Sequence, residues 1–234
     1  MSVLSNWSFS WDDVQFMLPE GSGLCLDIGC GDGCLRSCIE KKGWTWIGLD
    51  IDISRGGVEI CGDAENLPLV NSSVTLVVLS QVLEHVPHPW ISLKEVFRVL
   101  KPNGFVYGSV SCLEPLHDVC SYYGFTRYGI QQILSDQGFT NIRLNHGINA
   151  FTLITRNWFR RLLPSQIAER LAFWLIRFVL LTSTGTILWL RRVSNISRRG
   201  KVSEDYKRTT EWLKKESLLE FAGHIQFSAI KLHE

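Results

Sequence analysis

Short apolar runs alternate with amphipathic stretches over the first 144 residues. The runs predict strands at 24–28, 44–50, 58–62, 74–80, 105–110 and 139–144, with a last strand at 225–232. Apolar positions at helical spacing predict helices over 34–42, 93–100 and 126–137, the last between an N-cap at Thr126 and a stop at Gly138. Such alternation predicts a doubly wound α/β sheet that binds its ligand at the carboxyl ends of the strands.

Residues 157–192 depart from this alternation, because they form one long stretch that is both apolar and basic. From Arg156 to Lys201 there are ten Lys or Arg and one acid, Glu169, in a chain whose net charge is only +1. A concentrated basic segment in a near-neutral protein indicates an anionic surface as its partner. Its interleaving with apolar runs favours lipid over nucleic acid.

The segment 171–190 has the length of a membrane span. Arg177 inside it is costly at the bilayer centre, and a single crossing would separate strand 225–232 from the sheet it must join. We therefore expect two helices, broken near Gly185, at a membrane surface. Packing over the domain, a dimer contact and a true span are the alternatives, and the oligomeric state stays open.

The length of 234 residues suits one domain with an insertion. The predicted organisation is a domain at 1–156, a helical basic-apolar insertion at 157–222 and a returning strand at 223–234. No basic, apolar leader occupies the first ten residues, and the seven cysteines include no C-x-x-C pair. We expect reduced thiols, no bound metal and a cytoplasmic protein, at the inner face of the membrane if the insertion binds lipid.

The strongest motif follows the first strand, where Asp27 is succeeded by glycines at 29, 31 and 33. Glycine lets bare backbone approach a ligand and takes positive φ without strain. A dinucleotide motif would need its third glycine at position 34, where this chain has Cys34, and it does not call for an acid at Asp27. Both points disfavour a nicotinamide-dependent oxidoreductase. An acid at this point suits a cationic ligand group.

The D-x-G-x-G-x-G loop resembles that of the class I S-adenosylmethionine-dependent methyltransferases, of the type 11 group. Further motifs arrive in that family's order: Asp50 closes the second strand, Asp63-Ala64 follows the third, Ser80-Gln81-Val82-Leu83-Glu84-His85 follows the fourth, and Leu100-Lys101-Pro102-Asn103-Gly104 resembles its L-K-P-G-G turn. The resemblance implies a seven-stranded Rossmann-like sheet and S-adenosylmethionine as cofactor. It implies cofactor contacts from Asp27, Gly29, Cys30, Gly31, Gly33, Asp50, Ile51, Asp63, Ala64, Ser80 and Gln81.

The resemblance assigns roles to some of these residues. Asp27 would face the cationic amino-acid and sulfonium end, and Asp50 would bond both ribose hydroxyls, which a carboxylate can accept together. Asp63 would meet the adenine edge. A looser similarity of 114–118 and 122–130 is to bacterial methyltransferases of surface-glycan and lipid-linked sugar pathways.

His85 and His117 are the histidines placed to serve as a general base for a hydroxyl acceptor. Each has a structural role as its alternative. The Asn-Pro-Pro-Tyr or Asp-Pro-Pro-Tyr segment of amino-methylating base and glutamine enzymes is absent after the fourth strand. We therefore expect methyl transfer by direct displacement to a small or lipid-linked acceptor, at oxygen. A non-catalytic, membrane-associated adaptor with the same fold is the alternative.

Overall fold

The computed structural model describes residues 18–113, 120–147 and 223–232. Their strands are β1 (Leu24–Ile28), β2 (Thr45–Asp50), β3 (Ile60–Cys61), β4 (Val74–Ser80), β5 (Leu100–Ser111), β6 (Thr140–His146) and β7 (His224–Ile230). The helices are α1 (Arg36–Lys41), α2 (Pro89–Val99) and α3 (Arg127–Asp136), with a one-turn 3₁₀ helix at Leu83–His85. The predicted Rossmann-like α/β fold is confirmed.

The seven strands form one sheet in the order β3-β2-β1-β4-β5-β7-β6. All pairs are parallel except those made by β7, which lies antiparallel between β5 and β6. β1 and β4 are buried on both faces, as the near-continuous apolar runs predict. β6 alternates between half-buried and exposed residues, as an edge strand with one covered face does.

β7 lies in the same sheet as the six strands that precede it, as the predicted seven-stranded fold requires. Ser111 pairs with His224 and His146 pairs with Ile225, so β5 and β6 end where β7 begins. Gly147 N–H donates to the His224 carbonyl at 2.8 Å. Gly147 and Gly223, which flank segment 148–222, therefore lie at the carboxyl edge of the sheet. The predicted bounds of the insertion and the segment 171–190 fall outside the described residues.

The helix ends agree with the sequence chemistry. Thr126 Oγ1 accepts a hydrogen bond from Gly129 N at the start of α3, and Gly138 has φ +88° just after its end. α2 begins with Pro89, whose fixed φ suits the first helical position. Among the residues described, no helix combines the length and hydropathy of a membrane span.

Three predicted boundaries were wrong, and the first is the start of α2, which lies at Pro89 rather than at residue 93. The strand expected over 58–62 is only Ile60–Cys61, because these are the residues that pair with the last two residues of β2, Leu49 and Asp50. The turn at 100–104 is part of β5, where Asn103 has φ +60° and donates its N–H to the Lys231 carbonyl at 2.7 Å. Pairing with the chain that follows β7 thus converts the expected turn into an irregular strand.

Candidate active site

The loop after β1 has three left-handed glycines, with φ of +67° at Gly29, +56° at Gly31 and +77° at Gly33. An L side chain would be strained at each. A Cβ at Gly29 would lie 2.6 Å from Cγ2 of Val82, whereas one at Gly31 would meet only the Arg55 side chain, at 3.4 Å. Gly31 is buried and Gly29 is exposed, and the missing side chain of Gly29 permits contact with the segment after β4.

Asp50 lies beside this loop at the end of β2. Its Oδ2 accepts the N–H of Gly31 at 2.9 Å, and its Oδ1 accepts the N–H of Asp52 at 3.0 Å. The residue is half-buried, and each carboxylate oxygen can still accept a second hydrogen bond. The structure thus brings together the predicted acid and the predicted glycine loop.

The segment after β3 adjoins Asp50, because Gly62 N–H donates to the Asp50 carbonyl at 3.0 Å. Asp63 is exposed and accepts the N–H of Glu65 on Oδ1 at 2.8 Å, while Ala64 is buried. Ile51 has 71 % of its surface exposed. An exposed apolar side chain directly after the acid provides a surface for a flat apolar group.

Gln81 lies at the end of β4 in a strained backbone conformation, with φ +57°. Its N–H donates to the Ser109 carbonyl at 3.0 Å, and its Nε2 donates to Ser109 Oγ at 2.9 Å. Among the described residues, Gln81 Oε1 is buried with no hydrogen-bond partner. Ser80, directly before it, is half-buried. A non-glycine residue held at positive φ is typical of functional sites.

Glu84 anchors the segment that carries His85. It is fully buried, and its Oε1 accepts the N–H of Ser111 at 3.1 Å. Its carbonyl accepts the N–H of Tyr122 at 2.8 Å and that of Tyr123 at 3.3 Å. The segments that follow β4 and β5 are therefore joined at this edge.

His85 is half-buried, and its Nδ1 lies 3.2 Å from the Cys120 carbonyl. A carbonyl only accepts, so this contact places a proton on Nδ1 and makes Nε2 the basic nitrogen of the neutral ring. The structure therefore places His85 among the segments joined at Glu84. His117, the other predicted base, lies outside the described residues.

Asp27 lies in the interior, with 2 % of its surface exposed, and its Oδ2 accepts the Nε1–H of Trp46 at 3.0 Å. Its predicted contact with the cofactor stays a prediction, and the structure shows that the Trp46 side chain is a hydrogen-bond partner of the same carboxylate. Cys30 is buried next to it and donates its thiol to the Gly57 carbonyl at 3.4 Å. Burial, and then the charges of Asp27 and Asp50, raise the pKa of the Cys30 thiol to about 12, so it stays protonated.

The structure adds three residues that lay outside the sequence motifs, Trp46, Gly57 and Ser109, and gives a structural role to Glu84, a member of the motif after the fourth strand. Glu84 carries no signal that distinguishes a buried anchor from an exposed acid, and Ser109 lies in an ordinary strand. Gly57 directly follows Gly56, but only the close approach of two loops shows that it is needed. Within the described ranges, no group of His, Cys, Asp and Glu could hold a metal ion.

Comparison with known proteins agrees with this geometry. Residues 26–108 match the family model described as a methyltransferase domain. An uncharacterized methyltransferase of Mycobacterium sp. (strain JLS) is 30% identical over 103 residues, which are 40% of each chain. The chain thus spans about two fifths of the length of the curated relatives it matches.

Residues 26–108 are therefore similar to a methyltransferase domain, which is the resemblance that the sequence motifs predicted. They contain the glycine loop, Asp50, Asp63 and the segment after β4. The match confirms the predicted family and, with it, S-adenosylmethionine as that family's cofactor.

Solved structures confirm the fold of the methyltransferase domain. An S-adenosylmethionine-dependent methyltransferase from Archaeoglobus fulgidus superposes with a TM-score of 0.58 at 17% identity and covers 95% of both chains. Phosphoethanolamine N-methyltransferase 2 of Haemonchus contortus, solved with S-adenosyl-L-methionine, has a TM-score of 0.54 at 17% identity, covering 99% of this chain and 55% of its own.

Proposed function

We propose that this chain transfers a methyl group from S-adenosylmethionine to an oxygen atom of a small or lipid-linked acceptor, by direct displacement. The observation that carries the proposal is the hydrogen bond between Gly31 N–H and Asp50 Oδ2. It joins the buried backbone of Gly31 to a half-buried carboxylate at the ligand-binding edge of the sheet. Glycine loop and acid together suit a nucleoside better than either would alone.

The residues present fit the cofactor. Asp50 has acceptor capacity left for a ribose diol, and the exposed Ile51 follows it directly. Asp63 and Ala64 adjoin Asp50 through Gly62 and would meet the adenine. When bound, S-adenosylmethionine supplies an electrophilic methyl group on a sulfonium. The chain's task is then to place a nucleophile in line with that methyl group, and such positioning can contribute about 7–11 kcal/mol to lowering the barrier.

His85 is proposed as the general base for the acceptor hydroxyl. The Cys120 carbonyl holds the proton on Nδ1, so Nε2 is the nitrogen that would take a proton from the acceptor. Glu84 fixes the backbone next to it through Ser111, Tyr122 and Tyr123. Removal of the base is expected to slow methyl transfer about 100-fold or more without changing cofactor affinity.

A lipid-linked acceptor is proposed from the charge and attachment of the insertion. Its 157–192 stretch lies in the most basic part of the chain, and Gly147 and Gly223, which flank segment 148–222, lie at the edge that carries Asp50 and Gln81. A basic, apolar segment attached beside the catalytic edge suits an acceptor in an anionic membrane. We accordingly propose a cytoplasmic protein that binds the inner face of the membrane peripherally.

Calorimetric titration of the full chain with S-adenosylmethionine and S-adenosylhomocysteine tests the core of the proposal. Micromolar binding that is lost in Asp50→Ala is the expected result. Labelled methyl transfer into a lipid extract, compared between wild type and His85→Gln, then tests the acceptor class and the base. A well-folded protein that binds neither compound would favour the adaptor.

Vesicle flotation tests the membrane proposal separately. Wild-type protein should float with vesicles containing about 30% anionic lipid and not with neutral ones, since about 1 kcal/mol per basic residue comes from the anionic surface. Deletion of 157–192 should abolish flotation, and cofactor binding by the deleted protein serves as its folding control. Full retention of flotation would refute this part of the proposal.

A further inference from the structure

Trp46 lies beneath the glycine loop in a position that Gly48, on the same strand, makes possible. Only 4 % of its surface is exposed. A Cβ at Gly33 would lie 3.5 Å from the indole, and one at Gly48 would lie 2.4 Å from it. Since Gly48 follows Trp46 by two residues on β2, its missing side chain lets the indole lie along the strand toward the loop. The Arg36 guanidinium lies over the ring, 4.9 Å from its centroid.

Asp27 fixes the orientation of this indole. It lies on β1 opposite Gly48 on β2, and its Oδ2 accepts the Trp46 Nε1–H at 3.0 Å. Both residues are buried, and a buried indole N–H without an acceptor is costly. The pair thus joins the carboxyl end of β1 to the indole ring that lies under the loop.

The backbone of Gly57 completes the packing. A Cβ there would lie 2.2 Å from Gly33 N and 2.4 Å from the Asp32 carbonyl carbon, and Gly57 N–H donates to the Gly31 carbonyl at 3.3 Å. The loop after β1 is therefore packed directly against the loop after β2. It has little room to shift unless the indole shifts with it.

We infer that Asp27 and Trp46 are positioning residues that set the glycine loop through the buried carboxylate–indole pair, and that Asp27 acts on cofactor binding through Trp46. The inference rests on the proposed function, because the loop is positioned for S-adenosylmethionine. It differs from the role that the resemblance implied for Asp27, which was direct attraction of the cationic amino-acid end. The two roles predict different responses to the same substitutions.

The test measures calorimetric affinity of the full chain for two probes, S-adenosylhomocysteine and 5′-methylthioadenosine. The second probe lacks the amino-acid end. Asp27→Asn keeps an acceptor for the indole and removes the charge, whereas Trp46→Phe keeps a ring and removes the donor. Trp44→Phe is the matched control: Trp44 is also buried and donates its Nε1–H, to the Pro19 carbonyl at 2.9 Å, away from the loop.

We expect Trp46→Phe to weaken both probes by about tenfold, the loss of one buried hydrogen bond. Asp27→Asn should keep both affinities within about threefold, and Trp44→Phe should leave them unchanged. A loss of S-adenosylhomocysteine affinity alone in Asp27→Asn, with normal binding by Trp46→Phe, would overturn the inference and make Asp27 a direct ligand.

Hydrogen exchange of the Gly31 and Gly33 amides, followed by mass spectrometry without any ligand, separates this inference from the proposed function. Faster exchange in Trp46→Phe than in Trp44→Phe supports positioning even if the wild type binds neither probe, in which case only the proposed function fails. Equal exchange in the two variants overturns positioning even if the wild type binds well. Should Trp46→Phe unfold, Asp27→Leu, which also leaves the indole without its acceptor, is compared with Asp27→Asn in the same experiment.

Discussion

The two halves of the carboxyl edge of the sheet are held together by different kinds of contact. At the ends of β1 and β2, the contacts are made by glycine backbone: Gly57 packs on Gly33, and Gly31 N–H donates to the Asp50 carboxylate. At the ends of β4 and β5, side chains bridge distant segments, as Gln81 does to Ser109 and Glu84 to Ser111. The first half, which we call the cofactor half, uses stereochemistry that only certain residue types satisfy. The second, the acceptor half, uses pairings that many residue types could make.

The difference explains why the cofactor half leaves a stronger sequence motif than the acceptor half. Positive φ and close backbone approach select glycine strongly, so the requirement is written at fixed positions. The bridging pairs in the acceptor half are separated by 28 residues for Gln81 and Ser109 and by 36 for Tyr123 and Pro87. Nothing in the sequence near one partner identifies the other.

The largest expected effect is on the free energy of unfolding, when the contact between the Gly57 and Gly33 backbones in the cofactor half is disrupted. Gly57→Ala should lower the free energy of unfolding by about 3 kcal/mol, because its methyl group would overlap the Gly33 backbone. Gly56→Ala is the matched control, since a Cβ there meets nothing within 4 Å. Urea unfolding of the two variants measures the difference. Equal stability would show that the loops separate easily.

Asp50→Ala should weaken S-adenosylhomocysteine binding about 100-fold, or about 2.7 kcal/mol, through loss of charged hydrogen bonds to ribose. The protein should remain folded, because Asp50 is half-buried and only its two N–H partners lose an acceptor. Asp52→Ala, two residues on and exposed, should bind nearly as wild type. Calorimetry decides, and comparable losses in both variants would contradict the assignment to Asp50.

A third prediction concerns the bond between the two halves. Glu65, beside Asp63, accepts the N–H of His88 at 2.8 Å and contacts His88 Nδ1 at 3.0 Å, next to the segment that carries His85. Glu65→Gln should weaken cofactor binding by about fivefold, or about 1 kcal/mol, because the loop after β3 loses a charged acceptor.

The control for this third prediction is Glu59→Gln, which removes an exposed ion pair with Arg36. It should leave the affinity unchanged. Equal affinities for wild type and Glu65→Gln would show that the cofactor half keeps its geometry without support from the acceptor half.

The smallest effect is a pH-dependent contribution from α2, outside either half. The hydrogen bond from Arg98 holds the pKa of Glu95 below its ordinary value, and the N–H of Leu67 adds to this. A lowered folded pKa means that the stabilisation is complete above the unfolded pKa, near 4.5, and is lost as the pH falls through the folded value.

Glu95→Gln should therefore cost less than about 1 kcal/mol at neutral pH, since solvent screens the pair. The difference from wild type should vanish in acid, once the pH falls below the lowered pKa of Glu95. Thermal unfolding across this range measures it. A difference that persists in acid would assign the contribution to packing rather than to charge.

The sequence by itself determined the strands, the order of the motifs and the cofactor half. Runs such as Val74–Ser80 must be buried to escape water, and the glycines at 29, 31 and 33 are the residues that tolerate the left-handed backbone found there. These are local requirements, so the residue that meets each of them is recognisable at its own position in the sequence. The same locality made Asp50 recognisable at the end of its strand.

Only the tertiary structure decided the partners. It placed β7 between β5 and β6, turned 100–104 into strand, and bonded the Asp27 carboxylate to Trp46. An acid in a motif looks the same in sequence whether it meets a ligand or an indole 19 residues away. The physical reason is that burial and hydrogen bonding depend on which elements pack together, and that is fixed by the free energy of the whole fold rather than by any one segment.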